Sequence, residues 1–397
     1  MIDFDFNQFC YGCGNCANVC PTNAIKMVEN SEGFLMPLVD EQDCIHCGKC
    51  DRSCVYLQPM GTPDNSENEC YAVCGYRDEK LLRKSASGGV FPALAQEILA
   101  QGGYVCGCVW NDNFEAVHKV SNQWKDVEKM LHSKYVQSDA EECYKQVSEL
   151  LKDGKKVLFS GTPCQVAAVL NFTGNPDNLI TCDLICKGVP SPGVWRKYKE
   201  YIEKKQGSKL KNIVLRSKDK YGWTGPVTRY EFEDGSRKEV LFFQLNHFIV
   251  GFLDGLYMRN SCYHCQYKDL NHQADIILGD FWGINRKVFK KSKNLGVSAV
   301  IIRTEKGKRL LQACKDKFDV ITELSYEEMT EKNPSMRAST PINHNRDNFF
   351  KSWKEKPIEE AISAYTPMKS MKKRIIWLSD AIGLFAVFKW IQKKIYR

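Results

Sequence analysis

Two short runs near the start of the chain constrain everything built after them. "CYGCGNCANVCP" places Cys10, Cys13, Cys16 and Cys20 at C-x2-C-x2-C-x3-C, and "CIHCGKCDRSCV" repeats the spacing with Cys44, Cys47, Cys50 and Cys54. Loops this tight let three thiolates wrap one corner of an iron cube, while the fourth cysteine is carried into the following helix and faces the other cube. The expected ligand sets are therefore crossed: Cys10, Cys13, Cys16 and Cys54 hold one 4Fe-4S cluster, and Cys44, Cys47, Cys50 and Cys20 hold a second. Zinc sites are usually built from separated cysteine pairs, not from four thiols at one dense repeated spacing. The second run has Val55 where the first has Pro21, a position that shapes the chain and ligates nothing.

The chain has nineteen cysteines in 397 residues. Its opening residues, "MIDFDFNQFC", carry acids and no apolar run after a basic start, so no secretory signal is visible and a cytoplasmic location is expected. In a reducing compartment so many cysteines imply metal or redox chemistry rather than disulfides. Most of the net charge of +8 sits in the tail: from Lys369 to Arg397 there are eight Lys or Arg and one Asp, a net of +7. The rest is electrically balanced, which excludes the broad basic face of a nucleic-acid-binding protein.

Hydropathy patterning divides the chain into an α+β ferredoxin-like dicluster domain over 1–57, a Pro-, Gly- and Asn-rich linker over 58–69, a larger α/β domain with a mixed sheet over 70–323, and a helical C-terminal region over 324–397. "CYAVCGY", "YVCGCVW", "KVLFSG" and "NLITCDLIC" read as buried strands alternating with helical stretches. "VTRYEFEDGSRKEVLF" reads as a hairpin about Asp234-Gly235, and "GVSAVIIRT" as a strand leading into a helix. One large mixed domain or two closely packed lobes both fit this pattern.

Ser85, Ser87, Gly88 and Gly89 stand directly before a helix, where free N–H groups suit an anion; on spacing alone an ordinary N-cap explains them better. Cys70, Cys74, Cys106, Cys108, Cys143 and Cys314 read as core thiols. Cys164 and Cys186 differ, because each follows an apparent strand at a turn, where α/β sheets gather binding residues. With the C-x2-C pair Cys262 and Cys265 they would complete a third 4Fe-4S cluster. The competing arrangement is a zinc ion held by Cys182, Cys186, Cys262 and Cys265.

"SASGGVFPAL", "HSKYVQSD", "FSGTPCQVAAV", "CDLICKGVPSPGVW", "CYHCQYK" and "ADIILGDFWGI", in this order, resemble the coenzyme F-420 hydrogenase/dehydrogenase beta-subunit family from about Tyr71 to about Arg303. The resemblance implies an FAD-binding iron-sulfur oxidoreductase. Carried over by position, its flavin contacts are Ser87, Gly88, Gly89, Ser133, Lys134 and Tyr135, with Lys134 as cation for the pyrophosphate and Tyr135 for ring stacking. Asp280, at the end of "DIILGD", either positions the flavin or a cluster or caps the next segment.

Such cofactors would convert two-electron into one-electron traffic between a small organic substrate or deazaflavin and a redox partner protein or ferredoxin. The rival class is a non-catalytic electron-transfer subunit feeding a partner enzyme. A radical enzyme using S-adenosylmethionine lacks its C-x3-C-x2-C run. The tail from Ile375 to Ile391 is interrupted by Asp380 and Lys389, which argues against a membrane span. It reads either as an amphipathic helix on the inner face of an anionic membrane or on a partner, or as a helix packed on the protein's own core.

Overall fold

A computed structural model describes residues 5–65, 68–140, 142–283, 286–369, 371–385 and 387. Its strands, in chain order, are β1 (Ile25–Glu29), β2 (Leu35–Val39), β3 (Glu69–Tyr76), β4 (Tyr104–Trp110), β5 (Ala116–Ser121), β6 (Val157–Gly161), β7 (Leu179–Leu184), β8 (Leu210–Ser217), β9 (Val227–Phe232), β10 (Arg237–Leu241), β11 (Ile276–Asp280), β12 (Val297–Ile302) and β13 (Phe318–Leu324). The residues form two compact units, 1–193 with 259–341 and 194–258 with 342–397. This partition cuts the chain elsewhere than a linear reading at 57, 70 and 323, because strands far apart in sequence complete one sheet.

The first unit contains the dicluster segment. β1 and β2 pair as an antiparallel hairpin, with Ile25 opposite Val39. The sequence duplication reappears in the backbone: the short helices Asn15–Val19 and Lys49–Ser53 both start from a left-handed glycine, Gly14 and Gly48, and both end at the fourth cysteine of their run. Each loop also needs a left-handed residue just before its second cysteine. Gly12 supplies it in the first run (φ 62°) and His46 in the second (φ 51°), a conformation glycine adopts with little strain and histidine only at some cost.

The main sheet has the order β13-β3-β12-β11-β7-β6-β4-β5. β4, β6, β7 and β11 run parallel, while β5, β12 and β13 are antiparallel to their neighbours. All six residues of β12 and all five of β6 are buried, which fits continuous apolar runs in a sheet covered on both faces. Leu158, Ile180 and Ile276 pack with the helices Val90–Ala100 and Glu305–Cys314 on one face. Val157, Phe159 and Leu179 pack with Cys143–Lys152 and Pro163–Thr173 on the other. Cys70, Cys74, Cys106, Cys143, Cys182 and Cys314 are buried among these side chains, and Cys108 is half-buried.

His118, on β5, lies stacked on Phe159 and is 4% exposed. Burial holds its imidazole down to about 4. The unfolded chain therefore binds a proton that the native state refuses, so the associated stability is full above pH 6.5 and is lost as pH falls toward 4. Native stability is expected to drop by about 1 kcal/mol between pH 7.5 and 5.5 through this group. Denaturant titrations of wild type and His118→Asn at both values should differ by that amount.

The second unit has a three-stranded antiparallel sheet, β10-β9-β8, whose β9–β10 hairpin turns at Asp234-Gly235, with Gly235 at φ 82°. Its later helices include Ile358–Ala364 and Met371–Ala381. Ile376 and Phe385 pack against Val227 and Leu241, and Asp380 accepts hydrogen bonds from the Tyr221 hydroxyl (2.8 Å) and the Lys220 ammonium (3.2 Å). One face of the tail thus packs on its own unit, while Ile375, Leu378, Ile382, Leu384 and Val387 stay exposed. Residues 388–397, including Lys389 and Ile391, lie outside the described residues. Among those described, no helix is long and apolar enough to cross a membrane.

Candidate metal centres

In the first unit three cavities are each lined by four cysteines. Cys10, Cys13, Cys16 and Cys54 line one, with Tyr11 and Val55. Cys20, Cys44, Cys47 and Cys50 line another, with His46. The two cavities draw one cysteine each from the other run because the helices Asn15–Val19 and Lys49–Ser53 lie side by side. The buried Asn15 amide fixes that packing by donating to the Ser53 carbonyl (2.8 Å) and to Asn171 Oδ1 (3.3 Å). Val55 is 1% exposed and its carbonyl accepts from the Tyr267 hydroxyl.

The third cavity is lined by Cys164, Cys186, Cys262 and Cys265 together with Tyr11, Gln137 and Lys268. Each sulfur is delivered by a different device. Thr162 and Gln165 cap the helix Pro163–Thr173, Thr162 N–H donating to Gln165 Oε1 (3.1 Å), and Cys164 sits in its first turn, 3.2 Å from Thr162 Oγ1. A helix N-terminus favours a thiolate. Cys186 follows β7, where Ile185 N–H still donates to Leu278 O (2.8 Å). Cys262 lies within the 3-10 turn Asn260–His264 and Cys265 ends it, the Cys265 N–H donating to Ser339 Oγ (3.1 Å). Cys182 is fully buried in the core on the β7 residues that pack against Val90–Ala100, and it does not line this cavity. The zinc set using Cys182 is therefore not assembled.

The chemistry of these donors fits a positively charged metal core. Burial first, then repulsion from neighbouring sulfurs, pushes the thiols of Cys13, Cys16, Cys164 and Cys262 far up, and Cys265 up to about 11. Such thiols do not ionise together in an empty cavity, whereas a bound metal deprotonates them outright. Cys20 behaves differently: burial opposes its ionisation, but hydrogen bonds from Thr22, Ala24 and Ile25 lower it overall. Among the described residues no three His, Cys, Asp or Glu side chains converge as they would around a single metal ion.

Four residues around these sites escaped the sequence reading. Tyr11 belongs to the walls of both the Cys10 cavity and the third one. Gln137 donates from Nε2 to the Tyr11 carbonyl (3.0 Å). Arg259 and Lys268, three residues either side of the Cys262–Cys265 pair, are both buried. Basic residues flanking a C-x2-C pair were the available signal. In the second unit, a cleft lined by Tyr198, Tyr201, Lys205, Tyr230, Lys238 and His247 was also missed.

The loops expected to hold a flavin are already engaged. Ser87 Oγ donates to Val297 O (2.8 Å) and Gly88 N–H to Ser298 Oγ (2.9 Å). A Cβ at Gly88 would stand 2.3 Å from Val73 O, and one at Gly89 2.7 Å from Tyr76 Cβ. The glycine pair thus lets the start of Val90–Ala100 dock on β3 and β12. The Lys134 ammonium donates to the carbonyls of Lys129 (2.6 Å), Leu131 (2.7 Å) and His132 (3.4 Å), and burial lowers it to about 8. Ser133 and Tyr135 are half-buried beside it. Asp280 ends β11 opposite Ser298, and its carbonyl accepts from Asn333 Nδ2 (3.2 Å). The Ser87 hydroxyl, the Gly88 N–H and the Lys134 ammonium are thus committed within the protein, which makes these three groups a poor fit to an FAD as they stand.

Comparison with known proteins bears on the two cysteine-rich parts separately. Residues 9–56 match the 4Fe-4S dicluster domain, and residues 154–327 match the family described as the C terminus of the coenzyme F-420 hydrogenase/dehydrogenase beta subunit. An uncharacterized polyferredoxin-like protein of Methanocaldococcus jannaschii is 34% identical over 55 residues, 12% of this chain, and the match spans only a third of that relative's length. A chain of the F-420-reducing nickel-iron hydrogenase complex from Methanosarcina barkeri is 20% identical, covering 74% of this chain and 90% of that one at a TM-score of 0.44. The chain thus carries a segment that matches the 4Fe-4S dicluster domain, followed by one that matches the C-terminal model of the coenzyme F-420 hydrogenase/dehydrogenase beta-subunit family.

Proposed function

We propose that this protein is an iron-sulfur electron-transfer component of an oxidoreductase, with three cubane clusters in series. The ligand sets are Cys20, Cys44, Cys47 and Cys50 for the distal cluster, Cys10, Cys13, Cys16 and Cys54 for the middle one, and Cys164, Cys186, Cys262 and Cys265 for the inner one. The observation that carries the reading is the sorting of twelve cysteines into three cavities of four, with Tyr11 in the walls of two. Such clusters supply one-electron transfer.

The chain's own residues position and shield this series. The Tyr144 hydroxyl holds the Cys13 carbonyl (2.8 Å) from the helix Cys143–Lys152, and Tyr267 holds the chain just after Cys54. Tyr11 packs against Tyr56 and Tyr267, keeping water from the space between the middle and inner sites. The outer end is more open: Cys47 is exposed and Ile45 is 62% exposed. A redox partner protein would exchange electrons there.

An FAD near Ser87, Gly88, Gly89, Ser133, Lys134, Tyr135 and Asp280 would add two-electron exchange with a small organic substrate or deazaflavin. The match of residues 154–327 to that family supports this extension. The hydrogen bonds already made by Ser87, Gly88 and Lys134 favour the second reading, in which the chain conducts electrons for a partner without a flavin of its own. Anaerobic purification with iron, sulfide, zinc and flavin quantified per chain separates them. About twelve irons with one flavin is expected for a flavoprotein, about twelve without flavin for a conduit, and about eight irons would sink the third site in both.

A further inference from the structure

Arg259 is 1% exposed, yet among the described residues no carboxylate pairs with it. Its guanidinium spends its donors on neutral groups: Nε on Gln137 Oε1 (2.8 Å), Nη1 on Cys10 O (3.0 Å) and Met36 Sδ (3.2 Å), and Nη2 on Leu35 O (2.7 Å). It also lies 4.8 Å over the Phe34 ring. Lys268 is 9% exposed and likewise has no carboxylate partner, its ammonium donating to the carbonyls of Cys186 and Ser335.

Burying an unpaired cation is costly unless an opposite charge lies near. For Arg259 the groups in range are sulfurs. Those of Cys10, Cys262, Cys164 and Cys13 lie within electrostatic range of its guanidinium, and a bound metal would ionise them. Its position is fixed from both sides, because its own carbonyl accepts the Cys262 N–H (3.0 Å) while its side chain grips the Cys10 carbonyl, which Ser261 Oγ also holds (3.0 Å). Arg259 therefore stands between the middle and inner cysteine cavities. Lys268 stands in the wall of the inner cavity alone, and neither residue lines the distal one.

The geometry points to Arg259 and Lys268 as buried countercharges that set the reduction potentials along the series, Arg259 acting on the middle and inner clusters and Lys268 on the inner one. This rests on the three-cluster reading. A cube held by four thiolates is an anion and gains negative charge on reduction, so a fixed cation nearby favours the reduced state and raises the potential. With two buried cations at the inner site, one shared with the middle, and at the distal cavity only the exposed Lys49, which water and salt screen, an electron entering at the outer end meets a rising potential as it moves inward.

EPR-monitored redox titration of the anaerobically purified full chain reads this out, with the inner signal identified as the one lost in Cys262→Ala. In Arg259→Gln the reduction equilibrium constants of the middle and inner clusters are expected to fall tenfold or more, 59 mV for a one-electron couple, with the distal midpoint unmoved. Arg259→Lys keeps the charge and should hold both midpoints within a few-fold of wild type. Lys268→Met should lower the inner midpoint alone. Midpoints unmoved in Arg259→Gln and Lys268→Met, or all three moving together, would overturn the inference. Should Arg259→Gln fail to fold, an unmoved inner midpoint in Lys268→Met overturns it by itself. Twelve irons with unmoved midpoints rejects this inference alone, whereas eight irons in wild type rejects the inner cluster and the inference with it.

Discussion

Cys262→Ala is expected to remove about four irons per chain, from about twelve to about eight, and to leave the signals of the other two clusters unchanged. The inner cavity would keep Cys164, Cys186 and Cys265, and three thiolates hold a cube weakly. The remaining eight ligands belong to other cavities, so their clusters lose nothing directly. The informative control is Cys182→Ala. Cys182 is fully buried in the core and absent from the cavity wall, so this variant should keep all its iron while losing about 1 kcal/mol of stability to a small void. Iron unchanged in Cys262→Ala, or lost in Cys182→Ala, would return the site to a different ligand set.

Gly88→Ala is expected to be among the most destabilising single-atom additions in the first unit. The new Cβ would sit 2.3 Å from Val73 O, 2.8 Å from Ser298 N and 3.0 Å from Ser298 Oγ. Two of those three are backbone atoms of β3 and β12, which cannot swing aside, so the start of Val90–Ala100 must lift from the sheet. A cost on the order of 3 kcal/mol is expected, the upper range for overpacking. Because the clash is with the protein itself, the loss of thermal stability should be the same with and without added FAD. A loss that FAD abolishes, or that appears only in its presence, would show that the glycine is kept for the cofactor.

What could be read in the chain beforehand divides along physical lines. The dicluster loops were legible because their ligands are local, and spacing alone dictates which sulfurs can reach one cube. The strands were legible as continuous apolar runs, and the hairpin at Asp234-Gly235 as a turn between alternating segments. The convergence of Cys164 and Cys186 with Cys262 and Cys265 could be anticipated from strand ends. The order of the strands could not, since β3 lies between β12 and β13, over two hundred residues later. Nor was the grouping of residues 194–258 with 342–397 visible, because no local pattern records a long-range contact. Arg259 and Lys268 went unremarked, because nothing local in the sequence records their burial. The stretch Ser87–Gly89 looked like an anion cradle, and it is also a joint at which a helix meets the sheet.

The placement of β11, β12 and β13 inside the first unit's sheet bears on how the protein is made. The two dicluster cavities draw all their cysteines from the first 57 residues and can close while synthesis is still under way. The inner cavity has no complete wall until Cys265 and Lys268 have emerged, and the sheet that backs it lacks a neighbour for each side of β3 until β12 and β13 follow. The inner set of cysteines is therefore completed last, and a chain interrupted between residues 193 and 262 would hold all eight cysteines of the outer cavities with only Cys164 and Cys186 of the inner one.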